Sequence, residues 1–179
     1  MTGNKKRSGK NIVLAGFMAT GKSAVGRRLA KRLGRRFVDT DRLVEKETGL
    51  KVREIFERRG EDYFRDRESE VVASLEKYTP GSLVVAAGGG ALNREANRKM
   101  LKKHGLLILL TADPQTIIKR ASLSPGKRPL LETADPEARI KTMLEERKQA
   151  YSACDTSIDT TGRDIESIVD GIIKYLEDR

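Results

Sequence analysis

The chain has 179 residues, 37% of them hydrophobic, and 36 Lys and Arg against 26 Asp and Glu give a formal charge of +10. That length suits one domain around one core, and no apolar run approaches the roughly 20 residues needed to cross a bilayer. Cys154 is the only cysteine, which excludes an internal disulfide and fits a reducing cytoplasm, and His104 is the only histidine, which excludes a His-rich metal site.

Residues 1–10, with Lys5-Lys6-Arg7 and Lys10, are expected to form a mobile basic tail. The apolar stretch behind them is short, and cleavage there as a signal peptide would destroy the loop that follows. Residues 11–179 read as one domain. Its first strand covers about 11–16, around Ile12-Val13-Leu14-Ala15. Next comes Gly16-Phe17-Met18-Ala19-Thr20-Gly21-Lys22-Ser23, a complete G-x-x-x-x-G-K-S pattern. Placed between a strand and a helix, it is a phosphate loop. Gly16 turns the chain off the strand, and Gly21 leaves room for backbone N–H groups to close around phosphate oxygens. The helix opening at Lys22 adds the positive end of its dipole. Lys22 reaches the outer phosphates and the Ser23 hydroxyl suits Mg²⁺. A nucleoside triphosphate is the expected ligand.

The helix over about 22–34 keeps Val25, Leu29 and Leu33 on one face. A short strand, Arg36-Phe37-Val38-Asp39, ends in Asp39-Thr40-Asp41, placing two carboxylates on one side of an extended chain. Asp41 has a second reading as a helix N-cap, with Glu45 and Glu47 behind it. Helical segments follow near 41–48, 52–59 and 62–77. In the last, Arg65 stands at helical spacing from Glu68 and Val72, so it faces inward; pairing with Glu68 would explain it without a ligand.

A strand over Ser82–Ala87 runs into Gly88-Gly89-Gly90, where backbone can approach a ligand closely or simply turn. After a helix near 93–103 comes the strand Leu106–Leu110, and Asp113-Pro114 then opens another helix. Residues 121–134, with Pro125, Gly126 and Pro129, form a long irregular stretch, which in a packed domain points to function. Lys127 and Arg128 in it read as surface charge or as cations carried onto phosphates. Asp135-Pro136 starts a helix through about 151. Arg147 falls on its core-facing stripe of Ile140, Met143, Leu144 and Tyr151, and an inward arginine needs an anionic partner, structural or ligand. A strand near 156–158 and a final helix bearing Ile165, Ile168, Val169, Ile172, Ile173 and Leu176 complete the chain.

Strands alternating with helices, two of them continuous apolar runs, imply an α/β fold with a parallel sheet covered on both faces. Ligands of such sheets collect at the carboxyl ends of the strands. The phosphate loop, Asp39/Asp41 and the glycine triplet all fall there. The basic balance fits a site for anionic small molecules. With 4% aromatics and no Trp, stacking platforms for nucleic acid are poorly supplied, and neither nucleic acid nor membrane is expected as a partner.

Taken in order, Gly16–Ser23 continuing into Ala24-Val25-Gly26-Arg27, Phe37-x-Asp39-x-Asp41, Phe64-Arg65-x-x-Glu68, Gly88-Gly89-Gly90, Arg128-Pro129-Leu130-Leu131 and Arg147-x-x-x-Tyr151 resemble the shikimate kinases across residues 11–176. The resemblance implies a P-loop three-layer α/β/α sandwich with a five-stranded parallel sheet. It also implies a mobile lid over about 121–134 and a small helical substrate-binding subdomain over about 41–77; separately from it, a monomer in the cytoplasm is expected. ATP and Mg²⁺ are the implied cofactors, and transfer of the γ-phosphoryl to the 3-hydroxyl of shikimate is the implied reaction. By the same resemblance the loop residues Ala19, Thr20, Gly21, Lys22, Ser23 and Ala24 hold the phosphates, Ser23 ligates the metal and Asp39 lies near it. Asp41 takes the proton of the acceptor hydroxyl, and Arg65, Arg147 and the backbone of Gly88, Gly89 and Gly90 hold shikimate. Arg128 reaches the γ-phosphate from the lid, and Arg163 lies near adenine. The resemblance departs at Ala19, where many members have glycine; an alanine there is tolerable if its φ is negative. Two rivals stand beside this reading. One is another small-molecule kinase, for gluconate or a nucleotide; the other is a silent ATP- or nucleic-acid-binding module, against which the intact Lys22, Ser23, Asp39 and Asp41 argue.

Overall fold

A computed structural model describes residues 9–123 and 134–179. Most of the expected tail and nearly all of the expected lid, Lys127 and Arg128 included, lie outside the described residues. Five strands, β1 (Asn11–Gly16), β2 (Arg36–Asp39), β3 (Leu83–Ala86), β4 (Gly105–Thr111) and β5 (Thr156–Asp159), form one parallel sheet in the order β2-β3-β1-β4-β5. The strand carrying the phosphate loop is therefore central. Its six residues are all buried, as a strand covered on both faces must be.

Alternation along the strands divides the core into two layers. Ile12, Leu14, Val84, Ile108 and Leu110 face α1 (Lys22–Leu33) and α7 (Ile165–Glu177), meeting Val25, Leu29, Val169 and Ile172. Val13, Val38, Val85 and Leu107 point the other way, onto Val72 of α3 (Val52–Ser74), Leu101 of α4 (Glu95–His104) and Ala150 of α6 (Pro136–Tyr151). Each fully buried aliphatic side chain contributes roughly 1.5–3 kcal/mol, so these two layers hold the sheet and fix where its strand ends lie. A separate cluster of Val44, Ile55, Phe64 and Val71 joins α2 (Thr40–Thr48) to α3. α5 (Pro114–Ser122) and α6 meet over Phe17 through Ile117, Ile140 and Met143.

The two helices expected over 52–59 and 62–77 appear as α3 broken at Gly60, whose φ of 83° and ψ of 173° are non-helical. Asp113 and Asp135 cap their helices as expected, accepting from the backbone N–H of Thr116 and Ala138. At the end of β2 the expectation needs correction. Asp39, not Asp41, is the N-cap, accepting from Arg42 N at 3.3 Å, and the chain turns helical at Thr40. The two carboxylates are therefore not side by side on an extended strand. One ends β2 and the other stands in the first turn of α2.

Candidate active site

The phosphate loop leaves β1 through Gly16 and enters α1 through Gly21, with φ of 140° and 94°, values that favour glycine. A Cβ on Gly16 would also press into the Leu110 carbonyl. Gly21 caps α1 and has no side chain to cover the first N–H groups of the helix, the end where anions bind. Lys22 Nζ arches over the loop to the carbonyls of Gly16 and Phe17, at 2.9 and 2.7 Å. Ala19 has φ of +61°, so the condition of a negative φ is not met. This alanine is the one non-glycine residue in the left-handed region among those described, a conformation that costs an L-residue roughly 1–2 kcal/mol.

Ser23 Oγ donates to Asp39 Oδ2 at 2.6 Å. Two hard oxygen donors thus meet beside the loop, the kind of partial set on which Mg²⁺ rests when phosphates and water complete its shell. Among the described residues, no three His, Cys, Asp or Glu side chains gather as a metal cage.

Asp41 stands close enough to Lys22 to feel its charge. Burial pushes its carboxyl up from 3.8 to about 7, with Glu68 and Asp39 adding repulsion and Lys22 and Arg65 opposing. Glu68 is 1% exposed, and burial raises it too, against the attraction of Arg65. Asp41 Oδ1 and Glu68 Oε1 are both buried with no hydrogen-bond partner among the described residues, and both crowd Gly88. A Cβ on Gly88 would collide with Glu68 Oε1 and lie 2.5 Å from Asp41 Oδ1. Gly88→Ala is therefore expected to push the two carboxylates apart. The outcome to measure is a kcat lowered about 10-fold or more with thermal stability reduced by about 1–3 kcal/mol, the usual cost of overpacking.

The glycine triplet has a different use at each position. Gly89 offers its carbonyl to Arg147 Nη1 at 2.7 Å. At Gly90 a Cβ would stand 2.6 Å from both terminal nitrogens of Arg65. The two arginines, one from α3 and one from α6, thus meet on consecutive residues of one turn. The pairing of Arg65 with Glu68 is present, at 2.8 Å, and Glu61 accepts from Arg65 as well, at 3.0 Å. Arg147 is 7% exposed and stacks 4.9 Å from the centre of the Phe17 ring. Among the described residues it forms no ion pair with a carboxylate, which a buried arginine normally has.

On the other side of the loop a cavity of about 550 Å³ is lined by Thr20, Gly21, Ala24, Arg120, Arg163 and Ile165, among others. Arg163 is anchored in this lining by bonds to the carbonyls of Asp159 and Ser167. Arg120 and Glu68 went unassigned to the site by sequence reasoning. Glu68 had a signal in its i+3 spacing from Arg65. Arg120 had none, since its partners are distant in sequence.

A phosphate loop bridged by its own lysine, with a carboxylate whose Oδ1 is buried and two inward arginines on the adjoining turn, has the make-up of a P-loop kinase. A family model for shikimate kinase matches residues 18–177. The shikimate kinase of Caldanaerobacter subterraneus subsp. tengcongensis is 44% identical over 92% of this chain and 95% of its own, and that of Thermodesulfovibrio yellowstonii is 44% identical over 94% and 95%. A structure of shikimate kinase from Acinetobacter baumannii in complex with shikimate superposes with a TM-score of 0.88 and 34% identity, covering 94% of this chain and 93% of that one. The chain belongs to the shikimate kinase family.

Proposed function

We propose that the chain transfers the γ-phosphoryl group of ATP to the 3-hydroxyl of shikimate. The observation that carries the reading is Asp41, whose buried Oδ1 has no hydrogen-bond partner among the described residues and whose carboxyl feels the charge of Lys22 in the phosphate loop. A hydroxyl bound there would lie between a base and the donor. Phosphoryl transfer depends on such positioning and on neutralising charge spread over the transferred group.

In this reading the N–H groups of Ala19–Ala24 and Lys22 hold the phosphates, and adenine occupies the cavity lined by Arg120 and Arg163. Ser23 and Asp39 would hold Mg²⁺, which when bound neutralises phosphate charge. Arg65 and Arg147 grip the carboxylate of the acceptor as planar forks, and Gly88–Gly90 bring backbone against its ring. Asp41 orients the acceptor hydroxyl and takes its proton. Arg128, outside the described residues, would add positive charge at the γ-phosphate from a segment over about 121–134 that acts as a lid, excluding water as a competing acceptor. The chain acts as a monomer in the cytoplasm; among the described residues no helix is long and apolar enough to cross a membrane.

A thermal-shift series tests the acceptor. With a non-hydrolysable ATP analogue present, shikimate at 100 times its Kd is expected to add about 2.7 kcal/mol of stability, whereas gluconate and AMP add nothing. Stabilisation by either of those, with none by shikimate, would reassign the acceptor.

A further inference from the structure

The strained residue of the phosphate loop is gripped from outside the loop. Thr160, just beyond β5, is fully buried. Its hydroxyl proton is shared between the Thr111 carbonyl, at 2.8 Å, and the Thr20 carbonyl, at 3.3 Å. Arg120 holds Thr160 with two bonds, Nη1 to the hydroxyl at 2.9 Å and Nη2 to the carbonyl at 2.7 Å, and Nη1 reaches on to the Ala19 carbonyl at 3.4 Å. Ala19 and Thr20 therefore have both carbonyls drawn toward one threonine–arginine pair. The chain has no cis peptide among the described residues, and in a trans peptide the N–H points opposite its C=O. Drawing those two carbonyls outward turns the Thr20 and Gly21 N–H groups the other way, toward the anion. A left-handed alanine persists only where its surroundings over-determine it.

We infer that Thr160 is a positioning residue for the phosphate loop: with Arg120 it clamps the Ala19 and Thr20 carbonyls, holds Ala19 at positive φ, and so aims the N–H groups that bind the nucleotide phosphates. The inference deepens the functional reading and rests on its donor half. It also accounts for alanine at a position where glycine would be easier, since the clamp supplies the conformational bias that the residue lacks.

The test is titration calorimetry with a non-hydrolysable ATP analogue, which needs no acceptor. Thr160→Val removes the hydroxyl and keeps the shape, and is expected to weaken binding about 10-fold, as for one lost buried hydrogen bond with partners left unsatisfied. Thr160→Ser restores the affinity to within about 2-fold of the original chain. Adding Ala19→Gly to Thr160→Val recovers most of the loss, because glycine takes positive φ without help. A purely structural threonine would not be rescued from Ala19. The clamp is overturned if Thr160→Val binds like the original chain, or if the double variant binds no better than Thr160→Val. Should Thr160→Val not fold, the Tm of Ala19→Gly decides: an alanine held at positive φ predicts a raised Tm, and an unchanged or lower Tm overturns it. An original chain that does not bind the analogue at all overturns the phosphate-loop reading instead, which separates the two failures.

Discussion

Asp41→Asn lowers kcat by about 10²–10⁴, the range for loss of a positioned general base, while ATP affinity stays within about 2-fold because the amide keeps the shape of the carboxyl. The distinctive part is the pH behaviour. Asp41 is drawn up to about 7 by burial and by Glu68 and Asp39, so in the free enzyme it is protonated, and unable to accept a proton, below that value. With ATP held well below its KM, kcat/KM for shikimate of the original chain rises about 10-fold per pH unit on the acid side and levels off above about 7, since under that condition the ratio reports groups of the free enzyme. Asp41→Asn removes this limb. Stability runs the opposite way. The folded-state value lies above the ordinary 3.8, so the folded chain binds the proton more tightly than the unfolded one. The stabilising contribution is complete below about 4 and is lost as pH rises through about 7. Asp41→Asn abolishes that loss, so its Tm gains on the original chain between pH 5 and pH 8. A variant with near-normal turnover, or one whose acid limb survives, would move the base elsewhere.

The sequence revealed the donor half of this site more fully than the acceptor half, and for a physical reason. A phosphate loop is built from one continuous segment, so its glycines, Lys22 and Ser23 carry their own spacing and their own local logic. The acceptor side is assembled across α2, α3, α6 and the turn after β3. Arg65 and Arg147 were visible because a cation on an apolar helical stripe violates periodicity. Glu68 was visible only as a partner of Arg65. That it stands beside Asp41 depends on Gly88, which no local pattern ties to either acid. The same holds for Thr160 and Arg120, joined to the phosphate loop through the sheet at separations of 140 and 101 residues. Asp41 has the sequence context of a helix cap but does not serve as one, because Asp39 takes the cap while also accepting from Ser23. The alternation of strands and helices made the architecture legible because burial on both faces of a parallel sheet leaves near-continuous apolar runs. The strand order, with β1 between β3 and β4, was not legible, since it is set by long-range packing.

Arg147→Ala raises KM for shikimate about 10–150-fold, corresponding to the roughly 1.5–3 kcal/mol of a hydrogen bond to a charged group, and leaves KM for ATP within about 2-fold. Arg147 leaves much of its bonding capacity unspent. A guanidinium presents five N–H donors, yet among the described residues its bond to Gly89 and its stacking on Phe17 use only part of that capacity, and it has no carboxylate at ion-pair distance, only the more distant attraction of Glu68. Burying a charge in that condition is costly. An acceptor carboxylate would supply the missing partner, with Arg65 on the adjoining glycine as a second cation. The contrast with Arg65 is informative, because Arg65 already spends its charge on Glu68 and Glu61. Arg147 is thus the arginine whose pairing changes most when the acceptor enters, and its loss falls on KM for the acceptor. Arg147→Lys keeps the charge but not the planar fork, so it recovers only part of the affinity. If Arg147→Ala instead left shikimate KM unchanged and only lowered Tm, Arg147 would be a strut between α6 and the glycine turn, and the carboxylate grip would belong to Arg65 alone.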